Sequence, residues 1–401
     1  MDPLNQAEAR HDGRNIDPDI GLLAAEGSTQ KARDATVHPA RATYEEIAAA
    51  AREEEGTSYY GLPVLCEPVW NWMIPAYFFT GGLAGACAVL GGAVQAMGGR
   101  GTDLVRRCRL VAAGGSIVSA GLLIADLGRP SRFVNMLRVF RPSSPMNMGT
   151  WVLSGFGACS AASILPEVLA VRRGGRAGRL LATRRRSPRW IALAADRAGY
   201  GAAAFGLPLV GYTGVLLANT AVPVWQQTRH TLPVLFAFSG AVSAGALFDV
   251  WPPRRGSGIA HRFGLLARGA EVAASAALDR EASTVPRVAR PLRHGVSGAM
   301  LNTARAMLVG SLLSEILPLP RRAKRIASGT LALVGTALLR FGIVQAGRAS
   351  ARDPHATFEM QRAGRGAGEV VRRGDEPGAG MPALHGVGAT GEESVQHGAT
   401  P

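Results

Sequence analysis

The chain has 401 residues, 47% hydrophobic and 18% charged, and its 44 basic residues outnumber its 29 acidic ones. Many arginines fall in short segments between apolar runs and not on one polar face, which argues against nucleic-acid binding. The four cysteines form no CxxC pair and none of the eight histidines lies in the middle of an apolar run, which argues against an iron–sulfur cluster or a haem in this chain.

Both ends of the chain are polar. Residues 1–68 lack a basic start followed by an apolar segment, so they do not resemble a secretory signal peptide. Their composition predicts a disordered N-terminal extension over 1–68. Residues 350–401, which are rich in Gly, Arg and Glu, are predicted to form a polar C-terminal tail.

The intervening residues 69–349 are predicted to form one transmembrane domain. No Asp, Glu, Lys or Arg occurs from Pro68 to Gly99 or from Pro142 to Pro166, and about 20 apolar residues already cross the hydrocarbon core of a bilayer. The fold class is therefore an all-α membrane protein, a bundle of about eight transmembrane helices between two disordered polar tails. The predicted spans are 70–97, 104–126, 147–168, 194–219, 231–250, 260–278, 296–318 and 326–347, of which the last three contain charges.

The orientation of the spans is predicted from the segments that join them. One face of the predicted bundle carries 18 basic residues and the other carries nine. Basic connecting segments favour the cytoplasmic side. We therefore expect both termini to be extracytoplasmic, and the motifs described next to lie on the extracytoplasmic face.

The second span ends with the motif Asp126-Leu127-Gly128-Arg129-Pro130. Glycine and proline after a helix are typical of a helix end. A carboxylate beside apolar helices is also suited to proton exchange. The sequence leaves both roles open for Asp126 and Arg129, and it places Asn71, at the start of the first span, on the same face.

Two tyrosines lie inside the predicted spans near this face. Tyr77 is about two turns into the first span, and Tyr212 is about two turns from the outer end of the fourth. A phenol hydroxyl at that depth needs a hydrogen-bond partner, which a quinone carbonyl can provide. The alternative is an aromatic anchor at the membrane surface.

Charged residues inside the later spans are expected to pair. Glu271 and Arg305 each lie roughly 15 Å inside the sixth and seventh spans, so we predict that they meet near the middle of the membrane. Such a pair is either structural or one step of a proton path, and Arg340 in the eighth span is a further candidate for that path. Glu167 and Glu315, nearer the cytoplasmic side, are predicted to be interface residues.

The motifs, taken in order, resemble the NrfD/PsrC family, the membrane subunits of polysulfide-reductase-type oxidoreductases. The likeness covers about residues 65–365. One departure is that the first span offers Tyr77 and Asn71 but no histidine, whereas some relatives have one there. The matching segments are Trp70–Gly85, Asp126–Phe133, Ser143–Leu153, Tyr212–Leu217, Leu232–Gly240 and Leu339–Pro354.

The resemblance implies a membrane subunit with no haem or iron–sulfur cluster of its own, which binds quinone, either menaquinone or ubiquinone, at the face with the motifs. It also implies a ferredoxin-like 4Fe–4S partner subunit, a molybdopterin oxidoreductase subunit, and a place in the bacterial plasma membrane. The chain would then pass electrons between the quinone pool and the iron–sulfur partner. The candidate quinone-binding residues are Tyr77, Asn71, Asp126, Arg129 and Tyr212.

Two other functions stay open at this point. An ion-translocating or secondary transporter-like subunit would need charges lining a path through the membrane, and usually an internal repeat. The sequence offers Glu271 and Arg305 but no clear repeat. A passive membrane anchor without quinone binding is the other alternative.

Overall fold

The computed structural model describes residues 65–99, 101–129, 132–138, 140–142, 144–172, 188–318 and 320–362. Residues 1–64 of the predicted N-terminal extension and residues 363–401 of the predicted tail lie outside these ranges. The described ranges fold into thirteen helices and contain no strand.

Eight of these helices have 19 residues or more, and each corresponds to one predicted span, which confirms the all-α bundle. The long helices are α1 (Met73–Ala96), α2 (Asp103–Asp126), α4 (Pro145–Ser163), α6 (Arg189–Ala218), α8 (Thr231–Val250), α9 (Ser257–Ser283), α11 (Gly295–Leu313) and α12 (Arg321–Ala351). The short helices are α3 (Arg132–Arg138), α5 (Leu165–Arg172), α7 (Pro223–Gln227), α10 (Pro286–Arg293) and α13 (Pro354–Arg362).

Six of the long helices are long and apolar enough to cross a membrane: α1, α2, α6, α8, α11 and α12. The other two are more polar, since α4 is rich in glycine and serine and α9 carries internal charges. Large apolar side chains such as Ile117, Leu207 and Leu266 are exposed on the outside of the bundle, as expected where lipid surrounds a protein. The chain is therefore a multi-pass membrane protein.

The third predicted span, 147–168, is interrupted. Helix α4 ends at Ser163, Ile164 forms a turn, and α5 begins at Leu165. Pro166 has no amide hydrogen to donate to the preceding turn, so it cannot continue α4 without a break. At the other end of α4, the Ser144 hydroxyl caps the helix by accepting a hydrogen bond from the Asn147 amide at 3.4 Å.

Glycines allow the long helices to pack closely. A Cβ on Gly85 of α1 would lie 2.9 Å from the carbonyl oxygen of Gly206 in α6, and a Cβ on Gly264 of α9 would lie 3.1 Å from the Cα of Gly245 in α8. Small residues at such crossings let two backbones approach in lipid. The bundle is therefore held by close contacts between backbones as well as by side chains.

The two ends of the bundle carry different residues. We call the end at which α1 begins and α2 ends the motif end, and the opposite end the arginine end. Helix α13 lies at the motif end, within the stretch predicted to be a tail, and its Ala356 and Thr357 are buried.

Candidate functional site

The segment before α1 lies against the end of α2 at the motif end. The Asn71 backbone amide donates a hydrogen bond to the Asp126 carboxylate at 3.3 Å. Asp126 is the last residue of α2, and Gly128 follows in the left-handed region, with φ +67°. Asp126 therefore does end its helix. Arg129 is exposed and forms no ion pair with Asp126 in the described part of the chain.

Tyr212 of α6 joins its helix to the start of α4. Its hydroxyl donates a hydrogen bond to the carbonyl oxygen of Pro145, and its ring lies where a Cβ on Gly149 would be. A phenol has one proton to donate. While this bond is made, Tyr212 can accept a hydrogen bond from a ligand but cannot donate one.

Tyr77 lies in α1 and is 3% exposed. Its ring contacts Phe78. A Cβ on Gly81 would lie 3.5 Å from the Tyr77 ring. Tyr212 is close enough to interact with it electrostatically. Among the described residues, none forms a hydrogen bond with the Tyr77 hydroxyl. Tyr77 is thus a buried phenol whose hydroxyl has no hydrogen-bond partner among the described residues.

A row of aromatic rings continues from Tyr77 across the motif end. Phe78 lies 6.2 Å from Phe236 of α8 and 6.3 Å from Trp70, measured between ring centroids. Trp70 stacks on Trp225 of α7 at 5.5 Å with an interplanar angle of 12°. Each such pair contributes about 0.5–1.5 kcal/mol beyond the burial of its area. The row therefore fixes the segment before α1 against α7 and α8.

Arg340 of α12 lies at the inner side of this aromatic row. Its Nη2 donates a hydrogen bond to the Phe236 carbonyl oxygen at 2.8 Å, and its Cζ lies 3.7 Å from the centroid of the Phe236 ring. A Cβ on Gly82 would lie 3.4 Å from Nη2. The side chain is 1% exposed, so a guanidinium ion is buried between α1, α8 and α12.

The predicted pairing of Glu271 with Arg305 is wrong. Arg305 donates a hydrogen bond to Asp279 at 2.6 Å, and both side chains are partly exposed. Glu271 is 1% exposed and interacts electrostatically with Arg340 and Arg268 instead. Helix α9 continues to Ser283, beyond the predicted end at residue 278. Glu271 consequently lies roughly 18 Å from that helix end. Asp279 is closer to that end and is the carboxylate that pairs with Arg305.

The sequence analysis missed a charged cluster at the arginine end. Arg268 of α9 donates hydrogen bonds to Asp249 of α8 at 2.7 Å and to the Ser328 hydroxyl of α12 at 2.8 Å. His261 Nδ1 lies 2.8 Å from the same Asp249 carboxylate. Glu315 lies 3.8 Å from both Arg268 and His261. We call these four ionisable residues, Asp249, His261, Arg268 and Glu315, the Asp249 cluster.

The sequence contains some indications of this cluster, but they do not suffice to predict it. Asp249 closes an otherwise uncharged run and Arg268 interrupts a mostly apolar one, and charges in such positions usually face a partner. Glu315, predicted to be an interface residue, is only 18% exposed and belongs to the cluster. The partners come from different helices, so their pairing depends on how the helices pack.

A second buried ion pair lies nearby. Arg109 of α2 donates hydrogen bonds to Asp196 of α6 at 2.7 Å and to Gln95 of α1 at 2.6 Å. Ion pairs between side chains therefore connect the helices at the arginine end. Among the described residues, no group of three or more His, Cys, Asp and Glu side chains has the arrangement of a metal site.

Residues 64–252 match the family model described as polysulphide reductase, NrfD. Over these residues the chain belongs to the NrfD family. The NrfD segment contains α1 to α8, and with them all five candidate quinone-binding residues. Glu271, Arg305 and Arg340 lie beyond it. No curated protein matches the chain.

Membership of the NrfD family places the chain in a functional class. NrfD proteins are membrane subunits of quinone-linked oxidoreductase complexes and assemble with other redox subunits.

Proposed function

We propose that this chain is the quinone-interacting membrane subunit of an electron-transfer oxidoreductase complex. It passes electrons between the quinone pool and an iron–sulfur partner subunit. The observation that carries the proposal is Tyr77, a phenol buried in the NrfD segment whose hydroxyl no described residue engages. A buried phenol of this kind is stabilised by an acceptor such as a quinone carbonyl, whether of menaquinone or of ubiquinone.

The neighbouring residues have other roles at the quinone site. Tyr212, with its proton held by Pro145, offers an acceptor to the hydroxyl of a quinol. Asp126, half-buried at the mouth of the site, exchanges protons with water. Asn71 and Arg129 are exposed at the same mouth, where they contact the headgroup as it enters or the partner subunit.

The proposed partner subunits and membrane orientation are based on the family and on the charge distribution. A ferredoxin-like 4Fe–4S subunit docks at the motif end, and a molybdopterin subunit carries out the substrate chemistry. The chain contributes the quinone site and holds no haem or cluster of its own. The excess of basic residues at the arginine end supports a cytoplasmic position for that end, with the complex on the outer side of a bacterial plasma membrane.

The proposal is tested on the complex purified in mild detergent. We expect an iron–sulfur subunit and quinone to co-purify. Tyr77→Phe keeps the ring and removes one hydrogen bond of about 0.5–1.5 kcal/mol, so quinol-linked turnover per assembled complex should fall several-fold to about tenfold. Tyr200→Phe, in the opposite half of α6, is the matched control and should keep the wild-type rate. A complex without quinone, or equal rates in both variants, would contradict the proposal.

A further inference from the structure

Exposed arginines surround the starts of α9 and α12 at the arginine end. Two precede α9, one lies in its second turn, and two begin α12. In the described part of the chain, none of them forms an ion pair. We call them the cationic rim: Arg254, Arg255, Arg262, Arg321 and Arg322. The rim therefore carries positive charge that the described residues do not neutralise.

The elements that carry the rim are in contact with one another. Arg325 Nη2 donates a hydrogen bond to the carbonyl oxygen of Ser257, the first residue of α9, at 3.4 Å. Lys324 Nζ donates one to the Glu315 carbonyl oxygen, in the turn after α11, at 2.8 Å. The start of α12 is thus held against both the start of α9 and the turn after α11. The rim arginines consequently lie around one junction of three elements.

The position of the rim at two helix starts increases its attraction for anions. The N-terminal end of a helix carries a partial positive charge, which favours anions nearby and disfavours cations. The first turns of α9 and α12 contain no acidic residue, and no side chain caps either helix. Arg321 and Arg322 are the first two residues of α12, so they lie at the positive end of their own helix. An anion from outside the chain would therefore be stabilised beside them.

Large apolar side chains are exposed next to the rim. Ile316, in the turn after α11, is 80% exposed, and Ile259, in the first turn of α9, is 46% exposed. Leu266 is 77% exposed and lies one turn beyond Arg262 on the same face of α9. Apolar side chains gain free energy when they leave water for an apolar environment. The rim therefore borders a surface that suits hydrocarbon chains.

Trp251 indicates the depth of this border in the membrane. It lies three residues before Arg254 and is 45% exposed, and the Arg107 Cζ lies 4.2 Å from the centroid of its ring. Tryptophan is enriched in membrane proteins at the level of the lipid headgroups. The rim thus lies at the level of lipid phosphate groups, with Leu266 and Ile316 beside the acyl chains.

We propose that the cationic rim binds an anionic phospholipid. Its phosphate contacts the rim arginines, and its acyl chains lie along Leu266 and Ile316. Clusters of basic residues beside transmembrane helices attract anionic lipids in this way. A zwitterionic lipid brings its own cation to the same arginines, so the rim favours a headgroup such as that of phosphatidylglycerol. A free phosphate or an acidic protein would neutralise the arginines but would leave the apolar side chains uncovered.

The bound lipid has a structural role in this account. It joins the start of α9 to the start of α12, beside the Asp249 cluster and at the end of the bundle opposite Tyr77. A ligand that binds only the folded protein stabilises it. Phosphatidylglycerol should therefore raise the melting temperature of the chain, and the effect is independent of the proposed quinone site.

The test uses the full-length chain, purified in detergent and freed of native lipid. It is titrated with phosphatidylglycerol or with phosphatidylcholine of the same acyl chains, and native mass spectrometry counts the bound lipids. A basic residue close to an anionic lipid surface contributes about fivefold to binding. Arg321→Gln combined with Arg322→Gln should therefore weaken phosphatidylglycerol binding about 25-fold and leave phosphatidylcholine binding unchanged. Lysine at both positions keeps the charge and should retain most of the affinity.

The matched control changes two exposed arginines of α10 at the motif end, Arg290→Gln with Arg293→Gln. It should bind phosphatidylglycerol like the wild type. Equal weakening in this control, or equal affinity of the wild type for the two lipids, would overturn the proposal. Displacement of phosphatidylglycerol by excess inorganic phosphate would also overturn it, because the site would then recognise phosphate without the acyl chains.

A second measurement needs no variant. Salt screens the attraction between exposed charges. We expect a rise in sodium chloride concentration to weaken phosphatidylglycerol binding by the wild-type chain and to reduce the gain in melting temperature that this lipid gives. Phosphatidylcholine binding should change little. Phosphatidylglycerol binding that does not respond to salt would overturn the proposal.

Discussion

The two ends of the bundle differ in the contacts that bury their polar side chains. At the motif end, side chains bond to backbone groups: the Tyr212 hydroxyl to Pro145 and the Trp225 indole to Ile343. At the arginine end, buried side-chain charges bond to one another, as in Arg268 with Asp249 and Arg109 with Asp196.

One helical bundle thus has an aromatic end, where we propose the quinone site, and an end with buried ion pairs. Aromatic and backbone contacts fix the motif end around Tyr77, with the buried Arg340 guanidinium against the Phe236 ring on the inner side of the aromatic row. At the arginine end, removal of Asp249 or Asp196 would leave a buried arginine without the carboxylate that it contacts. The two ends should therefore respond very differently to the same substitution.

The largest difference is expected between Asp249→Ala and Asp126→Ala. The first leaves Arg268 buried without its carboxylate, which should lower the free energy of unfolding by about 3–5 kcal/mol. The second removes one exposed hydrogen bond, from the Asn71 amide, and should cost about 0.5–1.5 kcal/mol. Unfolding of the two detergent-solubilised variants measures both. Equal losses in the free energy of unfolding would mean that the two contacts stabilise the bundle to the same extent.

The next effect is expected at Gly149. A Cβ there would overlap the Tyr212 ring, so Gly149→Ala should destabilise the motif end by about 1–3 kcal/mol and should reduce quinol-linked turnover. Gly114→Ala is the control, because a Cβ at Gly114 has nothing within 4 Å. A thermal melt of each variant gives the stability. A wild-type melting temperature for Gly149→Ala would show that Tyr212 is not fixed there.

A smaller effect distinguishes the two roles of Asp126. Asp126→Asn keeps the shape and an oxygen for the Asn71 amide, so the abundance of the complex should stay normal. If Asp126 exchanges protons with the quinone site, turnover per assembled complex should fall several-fold. Lower abundance with a normal rate per complex would leave Asp126 only as the end of its helix.

The smallest effect is expected for Arg305→Gln. Its ion pair with Asp279 is partly exposed, and such pairs contribute about 0–1 kcal/mol. The free energy of unfolding and the rate of turnover should both stay close to wild type. A large loss of turnover would show instead that Arg305 has a role beyond this surface ion pair.

The eight long helices could be predicted because each corresponds to one mostly apolar run, and the end of α2 could be predicted from Gly128 and Pro130. The pairing of Glu271 could not. It depends on where α9 ends, and polarity alone placed that end five residues too early. The Asp249 cluster joins α8, α9 and the turn that follows α11, and a single sequence does not reveal how these elements pack.

The most direct test of the account is to label the complex with a photoreactive quinone and to map the labelled peptides by mass spectrometry. We predict labelling in α1 around Tyr77 and in α6 around Tyr212, with loss of the label when natural quinone competes. Labelling confined to the arginine end, or unaffected by competing quinone, would contradict a quinone site at the motif end.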